Sequence, residues 1–126
     1  MSNKSSMISR ERVPSDHLQS HFMKNGVSNT FNTFLEETPG HAKAWGAMVQ
    51  AKGNASKLDS KPGTLAYIAV LAALNRTSGI PIHVLSAKEA GANREEIISA
   101  ILVGLPAAGH IVTQSLPVAL NTYDSE

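Results

Sequence analysis

Two side chains near the middle of the chain, Arg76 and His83, are the strongest candidates for chemistry. An imidazole can take up or release a proton near neutral pH, and apolar residues surround His83 in the sequence. A guanidinium seven residues earlier can hold a carboxylate through two parallel hydrogen bonds. The pair would suffice for cofactor-free decarboxylation, lactone opening or isomerisation. The structural alternative is that Arg76 binds carbonyls at a helix end and that His83 is a hydrogen-bonded core residue.

Three further residues are candidates for the lining of a substrate pocket. His110 lies in an uncharged segment, where it is either a second polar group beside His83 or a histidine at a helix start or subunit interface. Trp45 and Tyr67 could line the same pocket, although aromatic residues at helical spacing usually belong to the core. No carboxylate stands at ligand spacing beside His41, His83 or His110, so no metal site is predicted.

The composition excludes several classes of protein. The 126 residues include no cysteine, which excludes disulfides, thiolate nucleophiles and Cys-ligated zinc. The net charge is only +1 and the basic residues are scattered, unlike the dense basic face of a nucleic-acid-binding protein. Charged residues make up 17% and hydrophobic residues 42%, which is a low charge content for one small domain. We therefore expect some apolar surface to lie in a homo-oligomeric interface.

The two ends of the chain raise questions of targeting. Residues 1–12 are polar and lack the apolar core of a secretory signal, so they are predicted to form a flexible arm before a single domain at 13–126. The lack of a secretory signal in these residues and the absence of cysteine favour a cytoplasmic location. Residues 97–123 carry no charge over a length that could span a bilayer. Two prolines and several hydrogen-bonding side chains within them instead predict buried helices joined by a bend, and no membrane association.

Helix signals dominate along the chain, and no hairpin signal separates alternating runs. A first helix is predicted to start at Ser15-Asp16, a second segment has helical spacing around Phe31, and further helices cover 41–52, 62–74, 81–90 and 94–105. A bend at Pro106 and Gly109 precedes the last helix, which runs through Leu120. Helix 62–74 is apolar around most of its circumference, as expected at the centre of a bundle or an oligomer. The sequence predicts an all-α fold.

Local signals also mark individual helix ends. Asn93 and Glu96 have the spacing of a capping box, in which each side chain bonds the other residue's backbone N–H. Gly91 suits the left-handed position after a helix C-terminus. Gly53 is predicted to end the helix at 41–52 and to open a polar linker.

Three stretches resemble the carboxymuconolactone decarboxylase and alkylhydroperoxidase D superfamily. The run 58–76, LDSKPGTLAYIAVLAALNR, is similar to its L-D-x-K/R start and apolar helix. His83, followed by Gly91-Ala92 and 94–97 (REEI), resembles the signature H-x7-G-A/V-x-x-E-E-I, and 117–121 (PVALN) resembles a terminal P-x-A-L/A-N element. The resemblance covers 58–123. It implies an alkylhydroperoxidase D-like (AhpD-like) helical bundle assembled as a homotrimer or homohexamer.

Two branches of that superfamily differ around the histidine. The peroxidase branch has the motif C-x-x-C-x-x-x-H and a glutamate on the preceding helix. In this chain the two cysteine positions are Arg76 and Gly79, the histidine is His83, and the glutamate position is Thr64. Only the histidine remains, and without a thiolate this chain alone cannot be a thiol peroxidase. The decarboxylase branch has A-A-L-N-R followed seven residues later by His, which 72–76 and His83 match without a gap. Its glutamate falls at Gly79.

The residues and the resemblance together lead to two hypotheses. The first is a cofactor-independent lyase, hydrolase or isomerase that acts on a small carboxylate or lactone, with His83 as general acid or base and Arg76 as anion anchor. Its pocket would be lined by Trp45, Tyr67, His110, Thr64 and Gly79. The second is a non-catalytic oligomer that kept the fold and binds a ligand or a partner protein. The missing glutamate keeps both hypotheses open.

Overall fold

The computed structural model describes residues 28–125, and within that range every regular element is a helix. The α-helices are α1 (Asn29–Glu37), α2 (Pro39–Ala55), α3 (Ser60–Ala73), α4 (Ile80–Glu89), α5 (Arg94–Leu102), α6 (Leu105–Ala108) and α7 (Leu116–Ser125). Two 3₁₀ helices, Thr77–Gly79 and Gly109–Ser115, precede α4 and α7. The all-α prediction is confirmed. The predicted arm at 1–12 and the predicted helix start at Ser15 lie outside the described residues.

Several helix boundaries differ from the sequence prediction: α5 ends at Leu102 rather than at 105, and α7 runs to Ser125 rather than to Leu120. Two further differences have local causes. Helix α2 continues through Gly53 to Ala55, and its end is capped where the Ser56 N–H bonds the carbonyls of Lys52 and Gly53. The last α-helix begins at Leu116 rather than soon after Gly109, and residues 109–115 form a 3₁₀ helix. Proline explains the second difference, because Pro117 has no N–H to donate to the carbonyl one α-helical turn earlier and its ring would clash there.

The hydrophobic core lies between α3, α4, α5 and the C-terminal elements. Helix α3 is central, because it packs against α4, α5 and the second 3₁₀ helix. Fully buried side chains come from all of these elements: Ile68, Ile80, Val84, Ile97, Ile101, Val112 and Ala119. The opposite side of α3, formed by Tyr67, Val70 and Leu74, is exposed in the single chain and is called the outer face of α3 below.

Helices α1 and α2 form a hairpin outside this core, and neither contains a buried residue. The hairpin is held together by aromatic packing, in which the Trp45 ring lies edge-on to Phe31 at 5.3 Å and to Phe34 at 6.2 Å. Met48 and Val49 of the same α2 face remain exposed. Among residues 28–125, the apolar side chains Met48 and Val49 of the hairpin are thus left without cover.

One helical stretch, Arg94–Ser125, is long and apolar enough to cross a membrane by length and composition. In the fold it is not one straight rod, because α5 ends at Leu102, α6 begins with Leu105-Pro106, and Gly109 turns the chain at a φ of 84°. Its segments pack against α3 and α4. The predicted bend near Pro106 and Gly109 is confirmed.

The end of α3 is a left-handed turn centred on Asn75, whose φ is 55°. The Arg76 N–H donates to the Leu71 carbonyl at 2.8 Å and the Asn75 N–H donates to Ala72 at 3.1 Å, which is the hydrogen-bond pattern of a Schellman motif. Gly91 (φ 100°) ends α4 in the same way, as predicted, with the Ala92 N–H bonded to Ala87 at 2.9 Å. Asn75 thus sets the direction in which the chain leaves α3 towards His83.

Asn75→Ala is expected to lower the free energy of unfolding by about 1 kcal/mol, because alanine lacks the short polar side chain whose local hydrogen bonding lets asparagine adopt the left-handed conformation at lower cost. Asn75→Gly is expected to stay within about 0.5 kcal/mol of wild type, since glycine has no such penalty. Urea denaturation followed by circular dichroism measures both, with Asn121→Ala on the exposed side of α7 as a control. Equal losses for the alanine and glycine variants would contradict the conformational explanation.

The capping box at the start of α5 also ties that helix to α3. Asn93 accepts from the Glu96 N–H at 2.8 Å, and Glu96 accepts from the Asn93 N–H at 2.9 Å, which confirms the predicted box. The same Glu96 carboxylate receives the Lys61 ammonium at 3.0 Å across 35 residues of sequence. The backbone hydrogen bond from Asn93 and the hydrogen bond from Lys61 together lower the pKa of Glu96 below its ordinary 4.5. Lys61 and Glu96, which lie in the stretches that resemble the superfamily, therefore join α3 to α5.

Glu96→Gln is expected to destabilise the protein at neutral pH and to match wild type at low pH. Glutamine can still cap the helix but cannot pair with Lys61. Because the pKa of Glu96 is lowered by folding, its contribution is present above 4.5 and is lost as the pH falls through the lower, folded-state value. Urea denaturation of both proteins from pH 7 to pH 3 measures this convergence, with Glu95→Gln as the control for helix charge alone. A stability gap that persists at the lowest pH would contradict it.

Candidate functional site

His83 is half-buried on the first turn of α4, and its ring orientation is fixed by the backbone before it. The Nδ1 atom lies 2.8 Å from the carbonyl oxygen of Gly79. A carbonyl oxygen can only accept, so Nδ1 carries a proton and donates it. In the neutral imidazole the lone pair is therefore on Nε2, which is the atom able to act as a base.

The imidazole packs against the ring of Tyr67 from α3. The two ring centroids are 4.7 Å apart and the planes are tilted by 49°. Tyr67 is 42% exposed, so the ring pair lies at the surface of the helical core rather than inside it. The predicted pocket residue Tyr67 and the predicted acid or base His83 are thus in direct contact.

A lysine from the outer hairpin reaches the same aromatic ring. The Lys52 Nζ atom lies 6.0 Å from the centroid of the Tyr67 ring, at the limit of a cation–π contact. Consecutive helices α2, α3 and α4 therefore each supply one member of a cluster: Lys52, Tyr67 and His83. Sequence reasoning identified Tyr67 and His83 but missed Lys52, because a lysine in the last turn of a helix is ordinary there and has no distinctive spacing.

Arg76 lies in the turn between α3 and α4, close to His83 along the backbone. Its carbonyl accepts from the Gly79 N–H at 3.1 Å, and the Gly79 carbonyl in turn holds the imidazole. Its side chain is exposed and makes no hydrogen bond or ion pair with another residue of 28–125. The turn thus brings the two predicted catalytic residues into one segment without a direct side-chain contact.

The remaining predicted pocket residues have local roles in the structure. The Thr64 hydroxyl donates to the Ser60 carbonyl at 2.8 Å within α3, and Trp45 packs in the hairpin against Phe31. His110 is exposed, and its carbonyl accepts from Thr113 at 2.7 Å. Gly79 supplies the carbonyl that orients the imidazole. Among residues 28–125, no three His, Asp or Glu side chains come together as a metal-binding group.

A shallow groove of about 480 Å³ runs between α3 and α5, away from the histidine. Its walls are mostly apolar, and its lining residues are Leu65, Ala66, Ala69, Glu96, Ser99, Ala100 and Val103. Neither Arg76 nor His83 borders it. The described chain therefore has two separate surfaces of interest: the cluster around His83 and this groove.

Comparison with known proteins identifies the family. The model of the carboxymuconolactone decarboxylase family matches residues 39–120, which is more than half of the chain. The chain belongs to the carboxymuconolactone decarboxylase family. The family match begins with the first residue of α2, so the family region includes the hairpin helix that carries Lys52 as well as the bundle. No curated protein and no solved structure matches the chain.

Proposed function

We propose that this family member is a cofactor-independent enzyme, a lyase, hydrolase or isomerase, whose substrate is a small carboxylated or lactone metabolite. His83 is the general acid or base, and Arg76 is the anion anchor. The observation that carries the proposal is the hydrogen bond from Nδ1 to Gly79, which orients a half-buried imidazole and leaves Nε2 for the substrate. A positioned imidazole of this kind contributes typically 10²–10⁴-fold to a proton-transfer step.

The proton transfer follows from that orientation. As a neutral base, Nε2 takes a proton from a substrate carbon next to a carbonyl, and returning it to another carbon completes an isomerisation. As an imidazolium, Nε2–H serves decarboxylation: the bond to the carboxylate carbon breaks, carbon dioxide leaves, and the proton joins the electron pair left on the substrate. Arg76 would hold a carboxylate through the two parallel donors of its guanidinium.

We also propose a cytoplasmic homo-oligomer, a trimer or a hexamer. The support is the apolar surface that one chain leaves open: the outer face of α3, where Leu74 is 63% exposed, and the hairpin helix α2 without a buried residue. A second copy packed on Val70 and Leu74 of that face and on Met48 and Val49 of α2 would bury this apolar surface and leave the edge of Tyr67 open. Because Tyr67 belongs to the outer face of α3, such an interface would border the His83 cluster.

The groove favours a second candidate function, a non-catalytic protein that binds a ligand or a partner. Its apolar lining is suited to a hydrophobic guest, and it lies apart from His83. This candidate needs no proton transfer, so it predicts binding without turnover.

A turnover screen separates the two candidates. The purified protein is incubated with carboxymuconolactone, the compound in the family's description, and with a panel of related carboxylated lactones, with and without a metal chelator. The proposed enzyme would consume at least one of them equally well in both conditions. Binding of a panel member without any conversion would reject the enzyme in favour of the second candidate.

A further inference from the structure

We infer that Lys52 is an anion-binding residue of the His83 site and receives a carboxylate of the substrate. The inference rests on the proposed function, because it assigns a further binding residue for a substrate that is held at His83. It concerns a residue of the hairpin helix α2, outside the turn that carries Arg76 and His83.

The position of the ammonium group supports this role. Lysines near a helix C-terminus can hydrogen-bond the last carbonyls of their own helix. Here the Ser56 N–H bonds the carbonyls of Lys52 and Gly53, and the Lys52 side chain extends to Tyr67 on the next helix. Within residues 28–125, no carboxylate lies at ion-pair distance from Lys52. Apart from its approach to the Tyr67 ring, the ammonium thus has no charged partner among the described residues.

The shared ring connects that charge to the proton-transfer atom. The centroid of the Tyr67 ring lies 4.7 Å from the centroid of the His83 imidazole and 6.0 Å from the Nζ atom of Lys52. The inferred position of the substrate is therefore the exposed edge of Tyr67, the ring that both the Lys52 ammonium and the His83 imidazole approach. A flexible lysine suits this task, since its compact charge can follow the carboxylate as the substrate enters.

The test follows the His83 ring signals by NMR while succinate, a small dicarboxylate, is added at low ionic strength. Four proteins are compared: wild type, Lys52→Met, Lys52→Arg and Lys43→Met. Methionine preserves the stem and the helix propensity of lysine without its charge. Lys43 is the matched control, because nine residues at 100° each place it on the opposite side of α2.

The expected result is that succinate shifts the His83 signals of wild type. The Lys52→Met variant should bind succinate with an apparent Kd about fivefold higher, which is the effect of losing one exposed ion pair. Lys52→Arg and Lys43→Met should bind like wild type. Equal binding by wild type and Lys52→Met would overturn the role of Lys52 and leave the proposed function intact. If succinate and the other screened carboxylates leave the His83 signals of wild type unchanged, the proposed function itself fails and the inference fails with it.

Discussion

His83→Gln is expected to lower kcat on a converted lactone by about 10²–10⁴-fold, the usual contribution of a general acid or base. The glutamine amide can still donate to the Gly79 carbonyl, so the local fold should survive, but an amide cannot exchange a proton with substrate at neutral pH. KM should change little, because the cations that hold the carboxylate remain. Steady-state kinetics of the purified variant measures both constants.

The matched control for this variant is His110→Gln, which alters an exposed histidine with no contact to the cluster among the described residues. It should retain full turnover. Thermal unfolding of both variants checks that any loss is chemical. A His83→Gln protein with wild-type kcat would contradict the assignment, whereas a variant that binds ligand without turning it over would support it.

Leu74→Lys is expected to convert the proposed oligomer largely to monomers. Leu74 is 63% exposed on the outer face of α3, so a lysine there leaves the core of one chain intact. A cation is also favourable at a helix C-terminus, by about 0.3–1 kcal/mol, so the isolated fold should not suffer. In an interface, by contrast, it would bring a hydrated charge into apolar surroundings.

Light scattering coupled to size exclusion measures the outcome against the 13.4 kDa mass of one chain. Wild type should have three or six times that mass, and Leu74→Lys should approach it. Ser86→Lys, an equivalent charge on the exposed side of α4, should retain the wild-type mass. A monomeric wild type, or an unchanged mass for Leu74→Lys, would contradict the proposed interface.

The parts of this fold that could be predicted from the sequence are those with local causes. The capping box of Asn93 and Glu96 and the left-handed Gly91 depend on residues within a few positions of each other, and both appear where expected. The 3₁₀ helix before Leu116 was missed because the apolar pattern continues through it. Helix α2 passes Gly53 because glycine only weakens a helix, and no other residue ends it earlier.

The site was predictable only as single residues. Tyr67 and His83 were each identified from their residue type. Their contact depends on the angle at which α3 and α4 cross, and the spacing of residues along the sequence does not determine that angle. Lys52 depends in addition on the placement of the hairpin. Trp45, the other aromatic candidate for the pocket, packs against Phe31 and Phe34 of the preceding helix, a contact that its spacing in the sequence does not indicate.

The Gly79 carbonyl that holds His83 has a stereochemical consequence. A carbonyl oxygen neither stores nor relays a proton at neutral pH, so in the proposed isomerisation Nε2 alone would both remove and deliver the proton. A substrate bound in a single pose would then lose and regain hydrogen on one side of its plane. Products formed in deuterated water should carry the label suprafacially, with one configuration at the new stereocentre.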